Sequence, residues 1–377
     1  MTSYFLRRFL LIIPTFIGIT MLVFAILQYC PGNIVDQEIE RIQSGGTAGG
    51  ESGSGLGGFG GVRDIQKIRR QLEAQYGFDR PIIVQYVDWF GKLVGVRLTL
   101  KAFALGKFAV PLPRYKIENV WLPVKAQLGT PDMGQSYIKK APVVDMIMGR
   151  LPVSIKIGLI GFVLSYLICI PLGVMKGVKH NSSFDFTSSA MIFVAYSIPG
   201  WALGIVLLVW LGGDLNLVPL GGLYSENYAQ LSFFGKLWDQ IHHGMLPIFC
   251  YMLGNFATLT ILMKNSIMEN LSADYIRTAF AKGLSERRVI FLHCLRNSLI
   301  PIATGLGHAL SIILAGSYLI EQVFNINGFG LLGFTAIENR DYPLALGILV
   351  IASILRLIGN IFSDMLYCLF DPRIRFQ

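Results

Sequence analysis

Six apolar stretches dominate this chain, near Phe9–Tyr29, Pro152–Met175, Phe186–Leu211, Met245–Leu262, Leu299–Ile320 and Leu344–Leu366. Each is close to the roughly 20 residues that an α-helix needs to cross a hydrocarbon core of about 30 Å. Lipid leaves backbone polar groups without water, so stretches of this kind close their hydrogen bonds internally, as helices. The rest of the composition agrees. Of 377 residues, 53% are hydrophobic and only 15% charged, and the mean hydropathy is +0.55, far above a soluble protein of this length. The expected fold class is an all-α integral membrane protein with six transmembrane helices. The first stretch follows Arg7 and Arg8, but its apolar run exceeds the core of a cleaved signal and no small-residue cleavage site follows. It reads as a retained helix.

The net charge of +9 would suit a nucleic-acid partner, yet the positions of the charges argue for membrane orientation instead. With both termini on the cytoplasmic side, cytoplasmic segments hold 12 basic residues: Arg7, Arg8, Lys176, Lys179, Lys264, Arg277, Lys282, Arg287, Arg288, Arg296, Arg373 and Arg375. The two short outer loops hold 2, Lys236 and Arg340. This asymmetry fits the positive-inside rule and the reverse topology violates it. Segment 30–150 carries 16 further Lys and Arg, but loops of that length cross largely regardless of charge.

The basic, glycine-punctuated segment 274–301 lies between two of the apolar stretches and so faces water. Its local grammar predicts two short helices meeting at an elbow. Ser272 or Asp274 can cap the first, and Ala273, Ala279 and Ala281 keep a face small enough for a partner's close approach. Gly283 can take the left-handed conformation that ends it, and Ser285 can cap the second, which runs through Val289, Ile290, Leu292 and Leu295. The result is a wedge able to dock into a groove, with a solvated basic loop held by anionic lipid as the plain alternative.

The run from Asp274 to Glu286, with Asn297 and Pro301 following, resembles the EAA loop of ATP-binding cassette importer permeases, in the version of the peptide and nickel importers. The matching positions are Asp274, Tyr275, Arg277, Thr278, Ala279, Ala281, Lys282, Gly283, His293, Arg296, Asn297 and Pro301. Phe280 departs from the pattern, because many relatives carry Arg there. The C-terminal third also falls in family order, with Glu321, Phe324, Gly328, Gly330, Arg340-Asp341-Tyr342-Pro343, Gly347, Asn360, Asp364, Tyr367 and Asp371-Pro372-Arg373. Tyr76-Gly77-Phe78-Asp79-Arg80-Pro81, Asp132–Tyr137, Arg150–Ser154 and the run from His243 to Pro247 are further landmarks.

This resemblance implies the type I importer permease fold, in the branch most like the peptide and microcin C permeases. It implies a bacterial cytoplasmic membrane location and a loop, 268–298, that docks on an ATPase through Asp274, Tyr275, Arg277, Thr278, Ala279, Ala281, Lys282, Gly283 and Ser285. It also implies three partners: a second homologous permease, cytoplasmic ATP-binding subunits, and an extracytoplasmic solute-binding protein.

Organisation follows. Residues 1–29 form the first transmembrane helix, 30–150 a large extracytoplasmic insertion between helices 1 and 2, and 151–377 a five-helix permease core. The insertion opens with the Gly-rich tether 45–61, too poor in apolar residues to fold. Gly53, Gly55 and Gly58 formally satisfy GxGxxG, but no strand precedes them. Amphipathic helices are expected over Asp64–Tyr76 and Ile82–Val94, with short strands or loops across 95–128, a stretch that is shorter in most relatives.

No catalytic constellation emerges. The Gly-Lys pairs at 91–92, 106–107 and 235–236 are followed by Leu, Phe and Leu, so none completes a phosphate-binding loop. ATP and Mg²⁺ therefore belong to a partner ATPase, and no cofactor is expected in this chain. The cysteines are scattered, and the His242–His243 pair lacks further ligands, so no metal is expected. Candidates for a translocation path are Pro199, where Ser197-Ile198-Pro199-Gly200 should kink the third span, with His308, Glu321, Arg356 and Asn360. Arg356 stands mid-span, where a charge is costly; pairing with Asp364 or Glu321, snorkelling and substrate contact are the alternatives. Lys156 lies near the end of its span. The buried ionisable residues also motivate a second reading, a proton-coupled carrier or channel working without an ATPase, which would have no use for the docking wedge.

Overall fold

The computed structural model describes residues 2–29, 35–36, 38–40, 62–98, 126–128, 131–303, 305–306 and 316–370. The tether 45–61, residues 304 and 307–315 of the fifth apolar stretch with His308 among them, and Asp371-Pro372-Arg373 lie outside them. In chain order the elements are α1 (Thr2–Tyr29), α2 (Val62–Tyr76), α3 (Ile82–Val94), β1 (Val96–Leu98), β2 (Ala126–Leu128), α4 (Val143–Val178), α5 (Ser183–Ser197) and α6 (Gly200–Leu207). There follow α7 (Phe233–Leu271), α8 (Asp274–Ala281), α9 (Glu286–Arg288), α10 (Leu295–Ser298), α11 (Tyr318–Val323), α12 (Phe329–Glu338) and α13 (Tyr342–Phe370). The chain is mostly helical, and β1 and β2 form an antiparallel pair with Val96 opposite Leu128.

Among the described residues, four helices are long and apolar enough to cross a membrane, and five if α5 with α6 makes one broken span. That break is sharper than a kink. The two parts of the third apolar stretch meet at 89°, with Ile198 extended and Pro199, which has no N–H to donate, leading into α6. Beyond α6 the helix widens into a π turn over Leu208–Asp214.

The chain divides into two compact units. The smaller comprises residues 18–144 and 339–347. Both expected amphipathic helices are present in it as α2 and α3. Gly95, at φ +76°, closes α3 by donating its N–H to the Lys92 carbonyl at 3.1 Å. Tyr86 and Trp89 on α3 pack around Phe24. Two landmark motifs about 200 residues apart meet here: Ser136 donates its hydroxyl to the buried Asp341 carboxylate, and Tyr137 donates its N–H to the same group at 3.0 Å. Burial, with Tyr76 and Asp341 alongside, pushes the Tyr137 phenol up to about 12.

The larger unit comprises residues 1–17, 145–338 and 348–377. Its α4 and α7 approach through glycine. A Cβ added at Gly173 would stand 2.5 Å from Met263 Cβ, and one at Gly177 would stand 2.6 Å from Ile267 Cγ2. Close backbone approach of this kind is the small-residue packing typical of helices in membranes. A second core gathers Ile157, Leu246, Cys250, Ile320, Phe324 and Ile326.

Candidate functional site

The segment after α7 folds as the expected elbow. α8 is followed by Gly283 at φ +77°, whose N–H donates to the Phe280 carbonyl at 2.9 Å. The chain then re-enters helix at Ser285 and runs through α9, a π turn over Val289–Cys294, and α10. Capping differs from expectation. Ala273 occupies the N-cap of α8 with no side-chain bond, Ser272 instead donates to the Glu269 carbonyl at 2.7 Å, and Ser285 sits at its N-cap without a side-chain bond.

The wedge is sealed from within. Ile276, Ala279, Val289, Ile290 and Cys294 bury themselves against Met263 and Ile267 of α7. Ser266 donates to the Ser298 carbonyl at 3.0 Å while Ser298 donates to the Ser266 carbonyl at 3.1 Å. This reciprocal pair is buried and rivets the returning helix to α7. Burial pushes the Cys294 thiol above its ordinary range.

Ala279 therefore packs inward and is not on the free face of α8. The other named positions face outward: Asp274, Tyr275, Arg277, Thr278, Ala281, Lys282, Gly283 and Ser285 are all exposed. Tyr275 donates its hydroxyl to Asn270 Oδ1 at 2.6 Å, Thr278 donates to the Asp274 carbonyl at 3.0 Å, and Arg277 lies 3.5 Å from Asp274. An apolar underside with a polar, solvent-facing top is the pattern of an amphipathic surface helix.

A second polar cluster was not anticipated. Asp185, in the first turn of α5, receives Lys264 from α7 at 2.8 Å on both carboxylate oxygens and Lys176 from α4 at 3.2 Å. Lys176 is 1% exposed and also donates to Ser188 and Ser189, each at 2.7 Å. Three helices are thus joined through one carboxylate. Counting Lys176 and Lys264 as surface charges concealed this, and the only sequence signal was an acid four residues after Asn181 in a tight turn.

The path candidates are scattered. Pro199 is exposed at the α5–α6 break. Glu321 is fully buried, its carboxylate accepting from Ser154 at 2.6 Å and from the Leu331 N–H at 2.7 Å, while Ser154 accepts from the Phe329 N–H at 2.7 Å. These bonds make it a tie between α4, α11 and α12. Arg356 is exposed on α13, with Asn360 one turn further along. Among the described residues Arg356 forms no ion pair with Glu321 or Asp364. Lys156 donates to Gln240, and His242 and His243 lie 2.8 and 2.9 Å from the carbonyl oxygens of Leu217 and Asp239.

Among the described residues the helices long and apolar enough to cross a membrane mark a membrane component, and residues 169–376 match the family of binding-protein-dependent transport system inner membrane components. The chain belongs to that family, whose members are the permease components of ATP-binding cassette systems, not their ATPases. It is 35% identical over 395 residues to the peptidoglycan transport system permease protein YejB of Agrobacterium fabrum, covering 100% of this chain and 99% of that one. It is 31% identical over 377 residues to the oligopeptide transport system permease protein AppB of Bacillus subtilis, covering 100% of both. Among solved structures it resembles the inward-facing MetNI methionine transporter, at 16% identity and a TM-score of 0.48 over 60% of this chain and 97% of that one.

Proposed function

We propose that this chain is one of two permeases in an importer that carries peptides or peptide-like solutes, microcin C-like compounds included, across a bacterial cytoplasmic membrane. Relatives named for oligopeptide, dipeptide and peptidoglycan transport support the cargo class. The full topology is six spans with both termini in the cytoplasm, an extracytoplasmic insertion over 30–150 and a permease core over 151–377. A solute-binding protein delivers cargo outside, and ATP with Mg²⁺ is bound by the partner ATPase.

The observation that carries this reading is the rigid elbow. Asp274, Tyr275, Arg277, Thr278, Ala281, Lys282, Gly283 and Ser285 form the ATPase-facing surface, and Ala279 anchors it from below. ATP-driven closure would press this surface and move α7 with it, switching the permease pair between outward and inward access. Pro199, His308, Glu321, Arg356 and Asn360 belong to the translocation half of the molecule, Glu321 as a positioning residue.

Affinity purification in mild detergent, followed by mass spectrometry, tests the assembly. Recovery of a second permease and an ATPase is expected; a stable homo-oligomer without ATPase would overturn the proposal. Gly283→Pro removes both the positive φ and the N–H bond, and should abolish ATPase association and uptake while the chain still inserts.

A further inference from the structure

On α13, side chains divide sharply by face. At about 100° per residue, Ile354, Ile358, Phe362 and Met365 share one arc, and all four are exposed large hydrophobics. Arg356, Asn360 and Ser363 share an arc roughly opposite, so the charge stands on a polar stripe and not on the apolar face. Its depth rules out the usual escape. Arg356 stands 14 residues from either end of α13, a rise of about 21 Å that is longer than an Arg side chain. Snorkelling to the headgroups is therefore closed to it. Glu321 does not answer the charge: among the described residues it forms no ion pair with Arg356, and its oxygens accept from the Ser154 hydroxyl and the Leu331 N–H.

An exposed guanidinium at membrane depth requires water and an anion. Because guanidinium geometry matches a carboxylate's two oxygens, and a linear peptide carries one free carboxylate at its C-terminus, we propose that Arg356 is a cargo subsite that binds the C-terminal carboxylate of the peptide in transit. Asn360, one turn away on the same stripe, supplies an amide suited to the adjoining peptide bond. This inference rests on the importer reading above and adds a specificity determinant to it.

The test uses the complete importer with its binding protein, reconstituted in liposomes, and two probes: radiolabelled trialanine and trialanine amide. Arg356→Gln should raise the concentration needed for half-maximal trialanine uptake by about tenfold or more and leave the amide within about twofold. Arg356→Lys, which keeps the charge but not the two-pronged geometry, should recover part of the loss. Equal effects on both probes, or none, would overturn the subsite. Dissociation of the Arg356→Gln complex would also overturn it, by showing that the guanidinium pairs with a partner chain. If the wild-type complex, with its ATPase bound, carries neither probe, the peptide reading itself fails and the subsite with it.

Discussion

Lys264 Nζ stands 2.8 Å from each carboxylate oxygen of Asp185, fastening α7 to the first turn of α5. Because Lys176 shares the same carboxylate while 1% exposed, Asp185→Ala strands a buried ammonium. It should cost about 3–5 kcal/mol, read as a lower melting temperature of the detergent-purified chain. Lys264→Ala should cost less, since Asp185 retains Lys176; an equal or larger loss would contradict the arrangement.

The α4–α7 seam makes a second prediction by contrast. Gly173→Ala drives a methyl toward Met263 and the Thr260 carbonyl and should destabilise by about 1–3 kcal/mol. Gly254→Ala, with nothing within 4 Å of the added Cβ, should be neutral or stabilise by up to about 1 kcal/mol. Thermal melts of the two variants give the comparison directly.

Thiol chemistry probes the elbow. Cys294 is buried and burial raises its thiol above the ordinary range, so maleimide at pH 7.5 should label it far more slowly than a cysteine placed at the exposed Lys282 or Ser285. The linkage sign is defined as well. As pH rises through the ordinary thiol range, the unfolded chain releases this proton before the folded chain does, so the Cys294 contribution to stability falls with rising pH. Rapid labelling of Cys294 at neutral pH would show that the wedge is open.

Removing the reciprocal serine bonds should loosen transmission without removing the docking surface. Ser266→Ala with Ser298→Ala should cost about 1–3 kcal/mol in total and raise the ATP hydrolysed per solute imported, while ATPase co-purification persists. Unchanged stoichiometry in liposomes would deny the rivet a mechanical role.

Much of this was legible because lipid leaves few options. Length and apolarity announced the four long apolar helices among the described residues; Pro199 announced the break and Gly283 the elbow, since each of these is a backbone constraint carried by a single residue. The helix over Ile82–Val94 was legible from its period. Side-chain pairing was not. The bonds joining Ser136 to Asp341, Ser154 to Glu321 and Ser266 to Ser298 unite residues 205, 167 and 32 positions apart, and nothing local distinguishes such serines from solvated ones. Ala279 was misread for a related reason: a small residue suits an inner seam as well as an outer face, and only its neighbours Val289 and Met263 decide.

The 39 residues of α7 make a rod about 58 Å long, with the elbow riveted to one end and Pro247 buried 24 residues from Leu271. Because proline deletes one rung of the hydrogen-bond ladder, that position is where the rod yields first. Beyond it Leu246 is set in the second core and Gln240 is tied to Lys156; below it lie about 36 Å of helix ending at the elbow. Where the hinge sits along the lever thus sets how far a small push at the elbow travels.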